Sequence, residues 1–239
     1  MDHYREESRQ IMKIVSATGA VVEQMSIDEA YLDFSAICQA EDADASLLLS
    51  VPLAQDLKKR ILTERKLTAT IGIASNKLLS KIASDHQKPD GLTAISETDK
   101  ALFLRPLAVR ALFGIGKVTE QVLNQAGIRT VADLQDYAGD LRALVGSFGP
   151  KLRQFARGED DRPLHLGDEI KSISGEETFL ADTDNRKVLR ACLRTQAQDI
   201  SGRLKRRRLG AHTVQVKVLR RFHHIDAPDY RRRPTDRGG

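Results

Sequence analysis

"SIDEAYLDF", Ser26 to Phe34, places two adjacent carboxylates, Asp28 and Glu29, at the head of an alternating apolar run. Successive side chains of an extended strand point to opposite faces. Read as a strand, the stretch puts Asp28 on the face of Ala30, Leu32 and Phe34, and Glu29 on the face of Tyr31 and Asp33. An ionised carboxylate on an apolar face is costly unless a cation or hydrogen bonds meet it. A hard divalent cation held by oxygen ligands is one solution, and Mg2+ typically takes one or two carboxylates plus substrate phosphates. An acidic hairpin turn at the surface is the other reading of the same pair.

Outward from this stretch the pattern is mixed. "HYREESRQIMKIVSATG" predicts a helix, "AVVEQM" a strand, and "EAYLDF" a second strand. "ASLLLSVPLAQDLKKRILTER" predicts a helix that Pro52 either kinks or opens. "LTATIGIA" predicts a strand, "NKLLSKIAS" a short helix, and "KPDGLTAI" a turn and strand. Together these predict one helix-covered layer over a largely antiparallel sheet. Lys77 and Lys81 stand at i, i+4. They are phosphate partners or an ordinary solvated helix face.

After Ile95 the texture changes to short helical pieces broken by Gly, which predicts a small all-α domain to about Leu166. Within it "LFGIGKVTEQVL" sets Gly114, Ile115 and Gly116 between two helical segments, flanked by apolar Leu112, Val118 and Leu123. Two glycines around one apolar residue make a tight turn with open amides. Such amides at a helix N-terminus can receive a phosphate oxygen, with Lys117 adding charge. A plain helix–helix corner is the alternative. "LVGSFGPKLRQFARG" reads as a degenerate second copy. "GDEIKSIS" reads as a linker, "SISGEETFL" as a strand, "NRKVLRACLRTQAQDISGRLKRRRL" as an amphipathic helix with a basic end, and "AHTVQVKVLRRF" as a strand. The last stretch, "HHIDAPDYRRRPTDRGG", shows no periodicity and reads as disordered or foreign.

Charge follows the same division. Of 38 Lys+Arg and 33 Asp+Glu, residues 200–239 hold 12 and 3, leaving 26 and 30 in the first 199 residues. An acidic front and a basic back fit a nucleic-acid partner through counterion release, or a solubilising tail. No apolar run approaches the roughly 20 residues that cross a bilayer, and the N-terminal residues carry no signal-like apolar core. The two cysteines, Cys38 and Cys192, lack metal-ligand spacing. These features predict a cytoplasmic protein with no membrane partner.

Four blocks, in order, resemble the Y-family translesion DNA polymerases of the DNA polymerase IV type. They are "SIDEAYLDFS", "TIGIASNKLLSKIASDHQKPDGL", "LFGIGKVTEQVLNQAGIRTVADL" and "KSISGEETF". The resemblance runs from Met1 to about Phe222. It implies an α+β fold with a partial palm over 1–95 and a mostly antiparallel sheet. A helix-hairpin-helix thumb follows over 96–166, then a linker over 167–172 and a partial little finger over 173–239. It implies that Asp28 and Glu29 are catalytic and ligate Mg2+, two ions per active site. Lys81 would contact the incoming dNTP. Gly114, Ile115, Gly116 and Lys117 would grip the DNA backbone, and the basic helix end Lys205, Arg206, Arg207 and Arg208 would lie along the primer-template duplex. The reaction implied is attack of a primer 3′-OH on the α-phosphate of a dNTP, with pyrophosphate leaving.

The sequence also departs from the pattern. Family members open with a strand carrying a further metal-binding Asp, then fingers with a tyrosine and an arginine on the triphosphate, and no such strand precedes Met1. Glu120 stands where the thumb pattern has a small residue. The tail after Phe222 has no counterpart, which leads to the expectation of a frameshifted or fragmentary gene product. No sliding-clamp peptide is recognisable. The expectation is therefore a DNA-repair polymerase whose present chain is weak or inactive alone. A non-catalytic remnant that binds damaged DNA or primer-template is the alternative. An unrelated nucleotide-handling α/β protein is a third reading, against which the thumb hairpin argues.

Overall fold

The computed structural model describes residues 2–167, 170–220 and 223–226. The chain divides into two compact units, Met1–Leu166 and Gly167–Gly239.

Unit one opens with α1 (Asp2–Ser16), followed by the ribbon β1 (Val21–Gln24) and β2 (Ala30–Asp33). The strands pair antiparallel with Val22 opposite Leu32 and Glu23 opposite Tyr31. One ribbon face, Val22 and Leu32, packs on Ile14, Val15, Leu57 and Ile61 of the helices behind it. The long helix α2 (Ala43–Arg65) is capped by Asp42, whose side chain accepts from the Ala45 amide. Pro52 thus lies well inside the helix and does not open it. Arg65 near its C-terminal end forks onto Glu7 of α1 at 2.6 Å and 3.0 Å, fastening the two helices.

Then come β3 (Ile71–Ile73), α3 (Lys77–His86) and β4 (Leu92–Ala94). A helix between two strands returns the chain in the same direction, so β3 and β4 pair parallel. Against the expected mostly antiparallel pairing, this pair is parallel, while the other two described strand pairs are antiparallel. The described strands form separate two-stranded pieces, one antiparallel and one parallel in this unit. Gly72 is what lets α3 lie directly on β3. A Cβ at that position would stand 2.1 Å from the Ser80 carbonyl oxygen.

The remainder of the unit is α4 (Lys100–Leu104), a 3-10 turn at Val109–Ala111, α5 (Lys117–Gln125), α6 (Val131–Asp136), α7 (Leu141–Val145), a 3-10 turn at Gly146–Phe148 and α8 (Gly149–Ala156). Thr130 and Asp133 form a reciprocal capping box at the start of α6. The main core includes Leu104, Leu123, Val131, Leu134, Leu152 and Phe155 from these helices, together with Leu78, Leu79 and Ile82 of α3. The texture change at residue 95 is therefore not a packing boundary.

Unit two contains α9 (Arg186–Arg206) and an antiparallel pair, β5 (Lys217–Arg220) and β6 (His223–Asp226). Asn185 caps α9 by accepting from the Lys187 amide. The expected strand over Ser172–Leu180 is irregular, and Arg203 of α9 donates to the Ser174 carbonyl at 2.8 Å. That bond and the position of Gly175 beside Gln196 lay the segment along the helix, where it has no strand partner among the described residues. The first four residues of the stretch read as disordered form β6 instead. The rest of that stretch, 227–239, lies outside the described residues.

Candidate active site and nucleic-acid interface

The two carboxylates do not sit in a strand. Asp28 and Glu29 lie in the turn between β1 and β2, and both are exposed. The expected burial of Asp28 against apolar neighbours is thereby overturned. The cause is local. The Ser26 hydroxyl accepts from the Asp28 and Glu29 amides, and it donates to Asp28 Oδ1 at 2.6 Å. The Met25 and Ser26 amides both donate to the Glu29 carbonyl oxygen. Side-chain-to-backbone bonds of this kind compete with strand pairing and fold the stretch into a compact turn.

Into this turn reaches α3. Asn76 caps the helix, accepting from the Leu79 amide, and Asp160 accepts from the Leu78 amide at 3.1 Å. Lys81, half-exposed, places its Nζ 2.5 Å from Glu29 Oε1 and 3.6 Å from Asp85 Oδ2. Burial lowers the Lys81 pKa, but Glu29 and Asp85 outweigh it and hold it above the ordinary lysine value. The structure thus sets Lys81 against Glu29, with Asp28 beside Glu29 in the same turn.

Lys77 behaves otherwise. It is buried against Glu23 at 2.7 Å, with its ammonium 4.9 Å from the Tyr31 ring centroid. The reading of Lys77 and Lys81 as one phosphate-facing pair is therefore corrected: only Lys81 presents its charge outward. Glu23 was missed by sequence reasoning, because β1 buries this glutamate while leaving Val21 exposed. No alternation of apolar residues signals that. Arg162 was also missed. It pairs with Asp160 through two bonds of 2.8 Å and 2.7 Å and lies over Phe113, 4.1 Å from the ring centroid. Arg162 and Phe113, with Tyr31, Lys77, Lys81, Asp85 and Arg110, line a cleft of about 210 Å³.

As a donor set, Asp28 and Glu29 offer exposed carboxylate oxygens and no softer ligand, which suits a hard cation such as Mg2+. The exposed Lys81–Glu29 contact can be given up at small cost.

In the hairpin, Gly114 adopts φ +87°, and Gly116 is the N-cap of α5. Ile115 is buried between them, while Lys117 is exposed at the first helical position. Leu112 and Leu123 are buried as expected, but Val118 faces solvent. Around Gly116 nothing lies within 4 Å of where a Cβ would stand, so its backbone is open to a ligand. Glu120 is taken up by Arg110 at 3.1 Å, which draws its charge aside from the hairpin amides. Gly114 rests on Phe148 of the second hairpin, between α7 and α8, so the two hairpins pack as one body.

In unit two, Lys205 and Arg206 close α9, Arg207 is its C-cap, and Arg208 turns the chain at φ +55°. All four are exposed. Cations at this end also complement the helix dipole.

The folded elements and their residues match one family of proteins. The impB/mucB/samB family model matches residues 1–85, and the model of its C-terminal domain matches residues 170–236. The second match reaches past Phe222 and so corrects the expectation that the tail has no counterpart in the family. DNA polymerase IV of Methanoculleus marisnigri is 41% identical over 216 residues, 90% of this chain and 58% of that protein. DNA polymerase IV of Dehalococcoides mccartyi is 36% identical over 233 residues, 94% of this chain and 58% of that protein. That of Legionella pneumophila is 38% identical over 221 residues, 91% of this chain and 61% of that protein. Among solved structures, a Y-family DNA polymerase chimera superposes with a TM-score of 0.71 at 27% identity, covering 90% of this chain and 60% of the chimera. An insertion ternary complex of Dbh DNA polymerase superposes with a TM-score of 0.61 at 32% identity, covering 68% and 46%.

The α+β fold, with its carboxylate turn, lysine-bearing α3 and paired hairpins, is similar to that of the solved Y-family DNA polymerases. The chain belongs to the impB/mucB/samB family, whose two models between them match more than half of it, and the relatives it resembles are named DNA polymerase IV. The chain spans about three fifths of the length of the curated relatives it matches. Among the described residues, no helix is long and apolar enough to cross a membrane.

Proposed function

We propose that this chain carries the palm, thumb and first part of the little finger of a template-directed DNA polymerase. The polymerase acts in error-prone translesion synthesis and DNA repair, extending a primer 3′ end with dNTPs. The observation that carries this reading is the meeting of Glu29 and Lys81 from elements far apart in sequence, which sets an exposed carboxylate pair beside a part-exposed ammonium. Asp28 and Glu29 would hold Mg2+, which supplies Lewis-acid activation and charge neutralisation to phosphoryl transfer. Lys81, released from Glu29, neutralises triphosphate oxygens. The open amides at Gly116 and the charge of Lys117 hold a DNA phosphate without reading sequence. Lys205, Arg206, Arg207 and Arg208 add backbone attraction.

A second reading is a DNA-binding chain without catalysis, for which the open hairpin at Gly116 and Lys117 and the exposed cations Lys205, Arg206, Arg207 and Arg208 would suffice. Primer extension with Mg2+ decides between them. Incorporation that Asp28→Asn abolishes supports the polymerase. Salt-sensitive primer-template binding with no incorporation supports the binding chain. Failure to bind DNA overturns both.

A further inference from the structure

The carboxylate ribbon and α3 meet at two rungs. The outer rung is Glu29–Lys81, with side chains 50% and 40% exposed. The inner rung is Glu23–Lys77, with side chains 6% and 8% exposed. Lys77 and Lys81 are one helical turn apart, and Glu23 lies in the strand that leads into the Asp28–Glu29 turn. The rungs therefore tie the same two elements together a few ångströms apart, one in solvent and one sealed from it.

We propose that Glu23 and Lys77 are positioning residues: their buried ion pair sets the spacing between the carboxylate turn and Lys81 and keys that spacing to the backbone of Pro163 and His165. Glu23 Oε2 accepts from both Lys77 Nζ and the His165 amide, the latter at 3.0 Å. Lys77 Nζ also reaches the Pro163 carbonyl oxygen at 3.5 Å. Tyr31, directly across from Glu23 in the ribbon, flanks the ammonium. Both charges are thus met on several sides, and removing either leaves the other buried and uncompensated. A lysine at the first position of a helix also opposes the helix dipole, which makes Glu23 its necessary counter-charge. The exposed rung can open to release Lys81 and Glu29 to a ligand while the sealed rung keeps both elements in register. Treating the outer rung as a metal and phosphate site rests on the function proposed above, whereas the hold exerted by the inner rung does not.

Hydrogen exchange on the full chain tests the hold without any ligand. Glu23→Gln is compared with Leu134→Ala, a core truncation remote from the ribbon, at temperatures giving equal overall stability. Glu23→Gln is expected to speed exchange at the Met25, Ser26 and His165 amides at least about tenfold relative to Leu134→Ala. Equal exchange in the two variants overturns the proposal. If Glu23→Gln does not fold, the double variant Glu23→Gln/Lys77→Met, which leaves no unpaired charge, takes its place. Fast turn exchange in that variant supports the ionic hold, and wild-type protection overturns it. A second arm measures binding of a non-hydrolysable dNTP analogue with Mg2+. Glu23→Gln is expected to weaken binding in the wild-type background and to add nothing in a Lys81→Ala background. Additive losses overturn the positioning role. The expected exchange difference between the variants, together with a wild-type chain that binds no analogue, overturns the function proposed above and leaves the hold of the inner rung standing.

Discussion

Lys81 Nζ and Glu29 Oε1 stand 2.5 Å apart, although 52 positions separate them in the chain. Both side chains are well exposed, so the contact contributes within about 1 kcal/mol of stability. Lys81→Ala is expected to leave the melting temperature almost unchanged and to weaken triphosphate binding on the order of tenfold, the loss of one charge-assisted hydrogen bond. Calorimetry and titration with a dNTP analogue separate the two effects.

The two hairpin glycines should respond differently. At Gly114, φ is +87° and an added Cβ would stand 3.0 Å from Phe148 Cζ. Gly114→Ala is expected to cost about 1–3 kcal/mol and to disturb the packing of the two hairpins. At Gly116, φ is −88° and the space is open, so Gly116→Ala should fold normally. If a DNA phosphate approaches that backbone, Gly116→Ala weakens DNA binding without lowering the melting temperature. Thermal melts paired with filter binding make the comparison.

Acid should unfold unit one through specific carboxylates. Burial raises the Asp160 pKa, but its bonds from Arg162 and the Leu78 amide hold it below the ordinary aspartate value. Bonds from the Thr130 and Arg129 amides depress Asp133. A depressed folded pKa means the unfolded chain takes up the proton first as pH falls. The stability these groups give is complete above about pH 4 and is lost as pH drops through their folded values. Melting temperature should therefore be flat near neutrality and fall below about pH 4. Asp160→Asn should lower it at neutral pH and converge on wild type in strong acid.

Replacing Lys205, Arg206, Arg207 and Arg208 by serine should flatten the salt dependence of DNA binding. If all four meet phosphates, the slope of log affinity against log salt falls in magnitude by up to about 3.6. Binding by anisotropy across a salt series reads this directly, and equal loss across DNA sequences would mark backbone contacts.

Much of the fold was legible where one element decides its own structure. The helices α1, α2, α3 and α9 follow apolar periodicity and capping side chains such as Asp42, Asn76 and Asn185. The hairpin was legible because Gly114 and Gly116 fix its geometry locally. What was not legible depends on partners distant in sequence. The parallel pairing of β3 with β4 follows from α3 lying on Gly72, and the burial of Glu23 follows from Lys77, 54 positions away. The Asp28–Glu29 stretch was misplaced for the opposite reason: the Ser26 hydroxyl captures two amides and overrides an alternation that otherwise reads as strand. Of the residues read as site residues, Glu29 and Lys81 meet in the structure, and Asp28 stands beside Glu29 in the same turn.

Leu78, Leu79 and Ile82 belong to the first 95 residues, yet they are buried in one core with Leu123, Leu134 and Phe155 from the helices that follow. Expressed alone, residues 1–95 would display a greasy helix face to water, and residues 96–166 would be left with a matching hollow. Grafts between relatives that swap only one side of this seam should recover solubility when those three α3 side chains travel with the helices they fill.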